Sequence, residues 1–141
     1  MRVDLSHTTN SMAQHLAQLA LLVDDYDRAI AWYTDMLGFE LIEDTPLSDV
    51  KRWVLMAPKG SPGCRILLAR AASPEQVAAI GNQSGGRVFL FLHTDDFATD
   101  YAAMRSKEVT FVREAEQQPW GRVAVFRDLY GNLWDLVGSA R

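Results

Sequence analysis

The second half of this amino-acid sequence repeats the first at an offset of 71 residues: Asp24-Asp25-Tyr26 corresponds to Asp95-Asp96-Phe97. Leu19 to Val23 corresponds to Leu90 to Thr94, Ile30-Ala31 to Tyr101-Ala102, and Leu41 to Glu43 to Val112 to Glu114. Each copy reads as a strand, a capped helix and three further strands. Duplication narrows the fold because the face that one copy leaves open can be closed by the other. The junction of the copies is then the expected place for a ligand site.

Within the first copy, Leu16 to Val23 is an apolar run of strand length. Asp24 or Asp25 caps a helix with Ile30, Tyr33 and Leu37 on its buried face and Trp32 and Met36 flanking it. Gly38 stops that helix. Phe39 to Glu43, Arg52 to Ala57 and Arg65 to Arg70 follow as strands, with Pro58 to Gly63 a turn by composition. Ser73-Pro74-Glu75-Gln76 supplies an N-cap, an N1 proline and a reciprocal glutamine, which predicts a short helix through Ile80. In the second copy, Val88 to Thr94 is a strand and Phe97, Tyr101 and Met104 mark a helix face. Val109 to Arg113, Arg122 to Arg127 and Leu133 to Val137 close it, the last two joined by a hairpin loop in which Gly131 or Asn132 takes positive φ. The pattern predicts an α+β fold of two repeated βαβββ units, at 14–71 and 87–138, joined by a linker with a short helix at 72–86. Together they form a single domain, 14–138, behind a loose tail at 1–13 in which Met12 is an alternative start.

Composition limits the partners. The 141 residues are 48% hydrophobic, enough to bury a core without staples. The net charge of −4 is shared equally by the halves and includes no basic stripe, which argues against nucleic acid and anionic membrane. Cys64, the sole cysteine, cannot form an internal disulfide. Neither a membrane-spanning run nor a secretory pattern is present, so the expected location is cytoplasmic.

The helix reading Tyr26-x-x-Ala29-Ile30-x-x-Tyr33-x-x-x-Leu37-Gly38-Phe39 and the ending Phe126-x-Asp128-x-x-Gly131-Asn132-x-Trp134-Asp135-Leu136 resemble the vicinal oxygen chelate (VOC) superfamily. This is the glyoxalase, bleomycin-resistance and extradiol-dioxygenase group, and the resemblance covers roughly residues 14–138. It implies a fold more than an activity. Similar metal-dependent proteins take ligands from the first and last strand of each unit, positions that fall here on Gln18, about Leu67, Phe89 and Asp135. Gln18 and Asp135 can donate oxygen, whereas Leu67 and Phe89 can donate nothing. Two oxygen donors fall short of a Zn²⁺ site and of the two-His-one-carboxylate iron pattern. His93 shares the Phe89 strand face but lies about 13 Å along it. The usual metal site is therefore expected to be degenerate and a cofactor absent.

By period 2, Leu16, Gln18, Ala20 and Leu22 face inward, as do Phe89, Phe91 and His93, Arg65, Leu67 and Ala69, and Leu133, Asp135 and Val137. Trp53 and Trp120 add stacking surfaces. Apolar walls around Gln18, Arg65, His93 and Asp135 describe a small-molecule site. Plain structural roles compete with this: His93 as a bond to the helix start, Asp135 as a partner of Arg65 or Gln18, and the Asp pairs as helix caps. Three functions remain open. One is metal-free ligand binding or sequestration of the bleomycin-resistance kind. Another is a glyoxalase-like lyase or isomerase, or a dioxygenase, using Zn, Fe, Mn or Ni, or using His93 and Asp135 as acid and base without metal. The third is a regulatory module with a vestigial pocket. Glutathione adducts, aromatic drugs and catechol-like compounds all suit the lining, and unpaired strand edges favour a homodimer.

Overall fold

A computed structural model describes residues 12–139, so almost all of the expected tail at 1–13, His7 included, lies outside the described residues. The first unit comprises β1 (Gln18–Val23), α1 (Tyr26–Leu37), β2 (Glu40–Pro46), β3 (Arg52–Ala57) and β4 (Arg65–Arg70). The linker carries α2 (Pro74–Ala79). The second unit comprises β5 (Val88–Thr94), α3 (Phe97–Ser106), β6 (Phe111–Gln118), β7 (Gly121–Arg127) and β8 (Leu133–Ser139). Two four-stranded mixed sheets result, ordered β1-β4-β3-β2 and β5-β8-β7-β6, with the first and last strands of each unit parallel neighbours. No helix among the described residues is long and apolar enough to cross a membrane.

Local chemistry sets the helix ends. Asp25 caps α1 by accepting from the Arg28 N–H at 2.9 Å, and Asp96 caps α3 by accepting from the Thr99 N–H at 3.2 Å. Asp24 instead pairs with Arg28. The Ser73 hydroxyl accepts from the Gln76 N–H, while the Gln76 side-chain Oε1 accepts from the Ala72 N–H. On α1 the buried stripe is Tyr26, Ala29 and Tyr33, at helical spacing, with Ile30 and Leu37 half-buried beside it. Strand β6 runs five residues past its expected end, through two bulges, to a hairpin whose turn is Pro119-Trp120. The segment Glu114 to Gln118 has a single apolar residue, Ala115, so no alternation in the sequence announces it as a strand.

The sheets bury their helix-bearing faces. Leu21, Val23, Val54, Met56, Ile66 and Leu68 pack on α1, while Ala124, Phe126, Trp134 and Leu136 join Phe97 and Met104, and all belong to one core. The Trp134 ring stands 6.0 Å from Tyr33 and 5.9 Å from Phe39, across the two units. The copies therefore close on their helix faces and not, as the duplication suggested, on their open ones. Aromatic bulk decides this: Trp134 is 2% exposed, whereas Phe91 on the opposite face of the second sheet is 63% exposed.

Candidate functional site

The two units differ where β3 meets β4. In the second unit the matching pair, β7 and β8, keeps register from Gly121–Ser139 through to Arg127–Leu133. In the first, β3 and β4 pair only at Val54–Leu68, Leu55–Leu67 and Met56–Ile66. Arg52 and Trp53 stay with β2, and Ala69 and Arg70 stay with β1, so the sheet forks.

Two residues account for the fork. In the second unit Phe97 lies directly on Gly138, where an added Cβ would come within 2.7 Å of the Phe97 Cβ. Only glycine lets that ladder close beneath the aromatic ring. The first unit has Arg70 at the corresponding place, with Tyr26 for Phe97. The Tyr26 hydroxyl accepts from the Arg52 N–H at 3.2 Å, replacing the lost strand partner. Beyond the fork, the Ala71 N–H bonds the Val23 carbonyl at 2.9 Å, which leads the chain away along β1 into the linker.

A cleft of about 600 Å³ opens in the fork. Trp53, Leu67, Leu47 and Val50 form its apolar wall, and Ala72 and Gln76 of the linker close one side. Trp53 and Leu67 are thus brought together. Leu47 and Val50, missed in the sequence, sit on a turn held by the Leu47 N–H to Lys51 carbonyl bond at 2.8 Å. Their signal was present, since two bulky apolar residues flank Ser48-Asp49 in a segment with no strand face to fill.

The remaining candidates are spread over other places. Gln18 and Arg65 are register partners on the first sheet, and the partner of Leu67 is Ala20, not Gln18. On the second sheet Phe91, Asp135, Val125 and Arg113 form one row across all four strands. His93 stands one row further, opposite Val137. No hydrogen bond joins His93 to Asp135 among the described residues, nor does Asp135 meet Arg65 or Gln18; its charged neighbour is Arg113. Phe89 lies at a bulge and packs against the core. Trp120 is at the hairpin tip, 57% exposed and away from the cleft. Cys64 is exposed.

A divalent metal does not fit these residues. Of the four positions the resemblance implies, Leu67 is apolar cleft wall and Phe89 packs against the core, neither with a donor atom to give, and no three His, Cys, Asp or Glu side chains converge among the described residues of one chain.

Burial pushes the Asp135 carboxyl up from its ordinary 3.8, and the Arg113 guanidinium draws it partly back. Between 3.8 and the raised value the folded chain binds more protons than the unfolded one. The stabilising effect of the protonated acid is present below that window and is lost as pH rises through it. Asp135→Asn is expected to melt above the wild type at pH 7, with the difference vanishing below pH 4. Thermal melts across pH check this, and an unchanged or lowered melting point at pH 7 would contradict it.

A sequence model described as the Glyoxalase/Bleomycin resistance protein/Dioxygenase superfamily matches residues 15–136. A protein of Shewanella frigidimarina (strain NCIMB 400) is 56% identical over 127 residues, which are 89% of this chain and 94% of that protein. Among solved structures, UcmS2 aligns with a TM-score of 0.76 at 32% identity, covering 89% of this chain and 98% of its own. TnmS3, an antibiotic binding protein from Streptomyces sp. CB03234, aligns with a TM-score of 0.74 at 29% identity, covering 91% and 98%.

Proposed function

Because the chain belongs to the Glyoxalase/Bleomycin resistance protein/Dioxygenase superfamily, we propose that it binds an apolar small molecule in the forked cleft of its first sheet, without a metal. One observation carries this reading: Leu67, where similar metal-dependent proteins hold a donor, is a wall of a roughly 600 Å³ apolar cleft. That volume suits a drug-sized ligand. Antibiotic binding by TnmS3, 29% identical, supports sequestration as the biological use. Trp53 supplies the stacking surface.

The open face of the second sheet belongs to the same proposal. Phe91, His93 and Asp135 present a mixed apolar and polar surface, with Phe91 63% exposed. A second copy of the chain would cover it, setting that face over its partner's cleft and giving Gln18, Arg65, His93 and Asp135 a ligand to meet. A second reading, acid–base catalysis by Asp135 and His93 in a lyase or isomerase, is favoured by the raised Asp135 carboxyl alone.

Native mass spectrometry, on protein purified without chelator or affinity nickel, tests assembly and metal together. The expected result is twice the 15.8 kDa chain mass with no metal adduct. Roughly one Zn, Fe, Mn or Ni per chain would overturn the metal-free reading. A monomer would remove the partner-covered site.

A further inference from the structure

The charged side chains of the cleft are all of one sign. Lys51, Arg52 and Arg70 line it and no carboxylate does, although the chain as a whole carries a net charge of −4. Arg52 is already engaged. Its Nη2 and Nε meet the Asp44 carboxylate at 2.6 and 3.1 Å, and its Nη1 meets Asp27 at 2.9 Å. These bonds draw the Asp44 carboxyl below its usual range. Lys51 and Arg70 have no ion-pair partner among the described residues. Corresponding places in the second unit, where the ladder stays closed, are Gly121 and Gly138. The first unit thus carries two uncommitted cations at the mouth of the cleft its fork creates.

We infer that the cleft selects an aromatic ligand bearing an anionic group, such as a carboxylate, sulfonate or phenolate, with its ring on Trp53 and its charge between Lys51 and Arg70. This rests on the small-molecule reading above and adds the charge of the ligand to it. Leu47, Val50 and Leu67 supply apolar contact on one side, and the two cations supply direction. A neutral aromatic gains the first and not the second. A cationic one meets Lys51, Arg52 and Arg70 with no acid of the same chain in the lining to offset them.

Fluorescence titration with two dyes of the same skeleton separates these contributions. The probes are 1-anilinonaphthalene-8-sulfonate and its uncharged parent, N-phenyl-1-naphthylamine. Wild-type protein is expected to bind the sulfonate about five- to tenfold more tightly, the advantage two partly exposed ion pairs provide. The double variant Lys51→Gln, Arg70→Gln should lose that preference and keep its affinity for the neutral dye. Added salt should mimic the double variant. Trp53→Ala should weaken both dyes. Equal wild-type affinities, or a preference that survives the double variant, would overturn the anionic selection and leave the apolar cleft standing. Failure of both dyes to bind, or binding indifferent to Trp53→Ala, would overturn the cleft as a ligand site and the charge selection with it.

Discussion

Asp128→Ala is expected to destabilise the protein by about 3–5 kcal/mol, lowering the melting temperature by about 10–20 °C. Asp128 is 5% exposed and accepts five hydrogen bonds. Its Oδ2 takes the Tyr33 hydroxyl at 2.5 Å, the Asn132 Nδ2 at 2.9 Å and the Trp134 Nε1 at 3.1 Å. Its Oδ1 takes the backbone N–H of Tyr130 at 3.0 Å and of Asn132 at 2.9 Å. Tyr33 belongs to the first unit and Asp128 to the second, so this carboxylate ties the two copies together at the centre of their common core. Burial, and then the Asp128 carboxylate itself, hold the Tyr33 phenol far above its ordinary value, so it remains a donor. Asn132 turns its amide nitrogen to Asp128 and leaves its Oδ1 buried without a partner, a cost accepted because the reverse orientation would set oxygen against carboxylate. Truncation to alanine strands the Tyr33, Trp134 and Asn132 donors in an apolar surround. Tyr33→Phe removes a single donor and should cost only about 1 kcal/mol. Urea unfolding of the two variants measures the contrast. A loss below about 1 kcal/mol for Asp128→Ala would mean that water reaches the site and that Asp128 is not the tie.

The duplicated pattern made the two βαβββ units legible, because strand runs and capped helices are signalled locally and twice over. Asp128 was not legible as a core residue. An aspartate opening a Gly-Asn hairpin reads as a turn former, and its burial depends on Tyr33, 95 positions earlier in the chain. Nor was the fork legible. Arg52 to Ala57 and Arg122 to Arg127 look equivalent as strands, and the sheet opens because Arg70 stands where the other unit has Gly138. Parity placed Phe91, His93 and Asp135 on one face, but a bulge between Val88 and Leu90 takes Phe89 out of that series. Period-2 reasoning holds between bulges and not across them. The site candidates closest to the fork, Trp53 and Leu67, came from strands without one.

Gly81→Ala is expected to cost about 2–5 kcal/mol, far more than Gly85→Ala at about 1–2 kcal/mol. Both glycines have positive φ, +78° and +68°, so both variants bear the left-handed penalty of an L side chain. They differ in their surroundings. A Cβ at Gly85 meets nothing within 4 Å, whereas one at Gly81 would overlap the Tyr130 carbonyl oxygen. That oxygen cannot simply retreat. The Tyr130 N–H is bonded to Asp128, and its hydroxyl donates to Asp24 at 2.7 Å, so the clash is transmitted to the buried tie and to the start of α1. The linker would have to move instead, and Gln83 would move with it. The Gln83 amide closes the free edge of β1, accepting from the Leu22 N–H at 2.7 Å and donating to the Ala20 carbonyl at 3.1 Å. Hydrogen exchange at the Leu22 amide should therefore quicken in Gly81→Ala by more than global stability loss explains. In Gly85→Ala it should follow global stability alone. Equal stability loss in the two variants would show that the Tyr130 loop yields and that linker and hairpin are not mechanically coupled. Unequal loss with unchanged local protection at Leu22 would place the strain in the hairpin and leave the β1 edge closed.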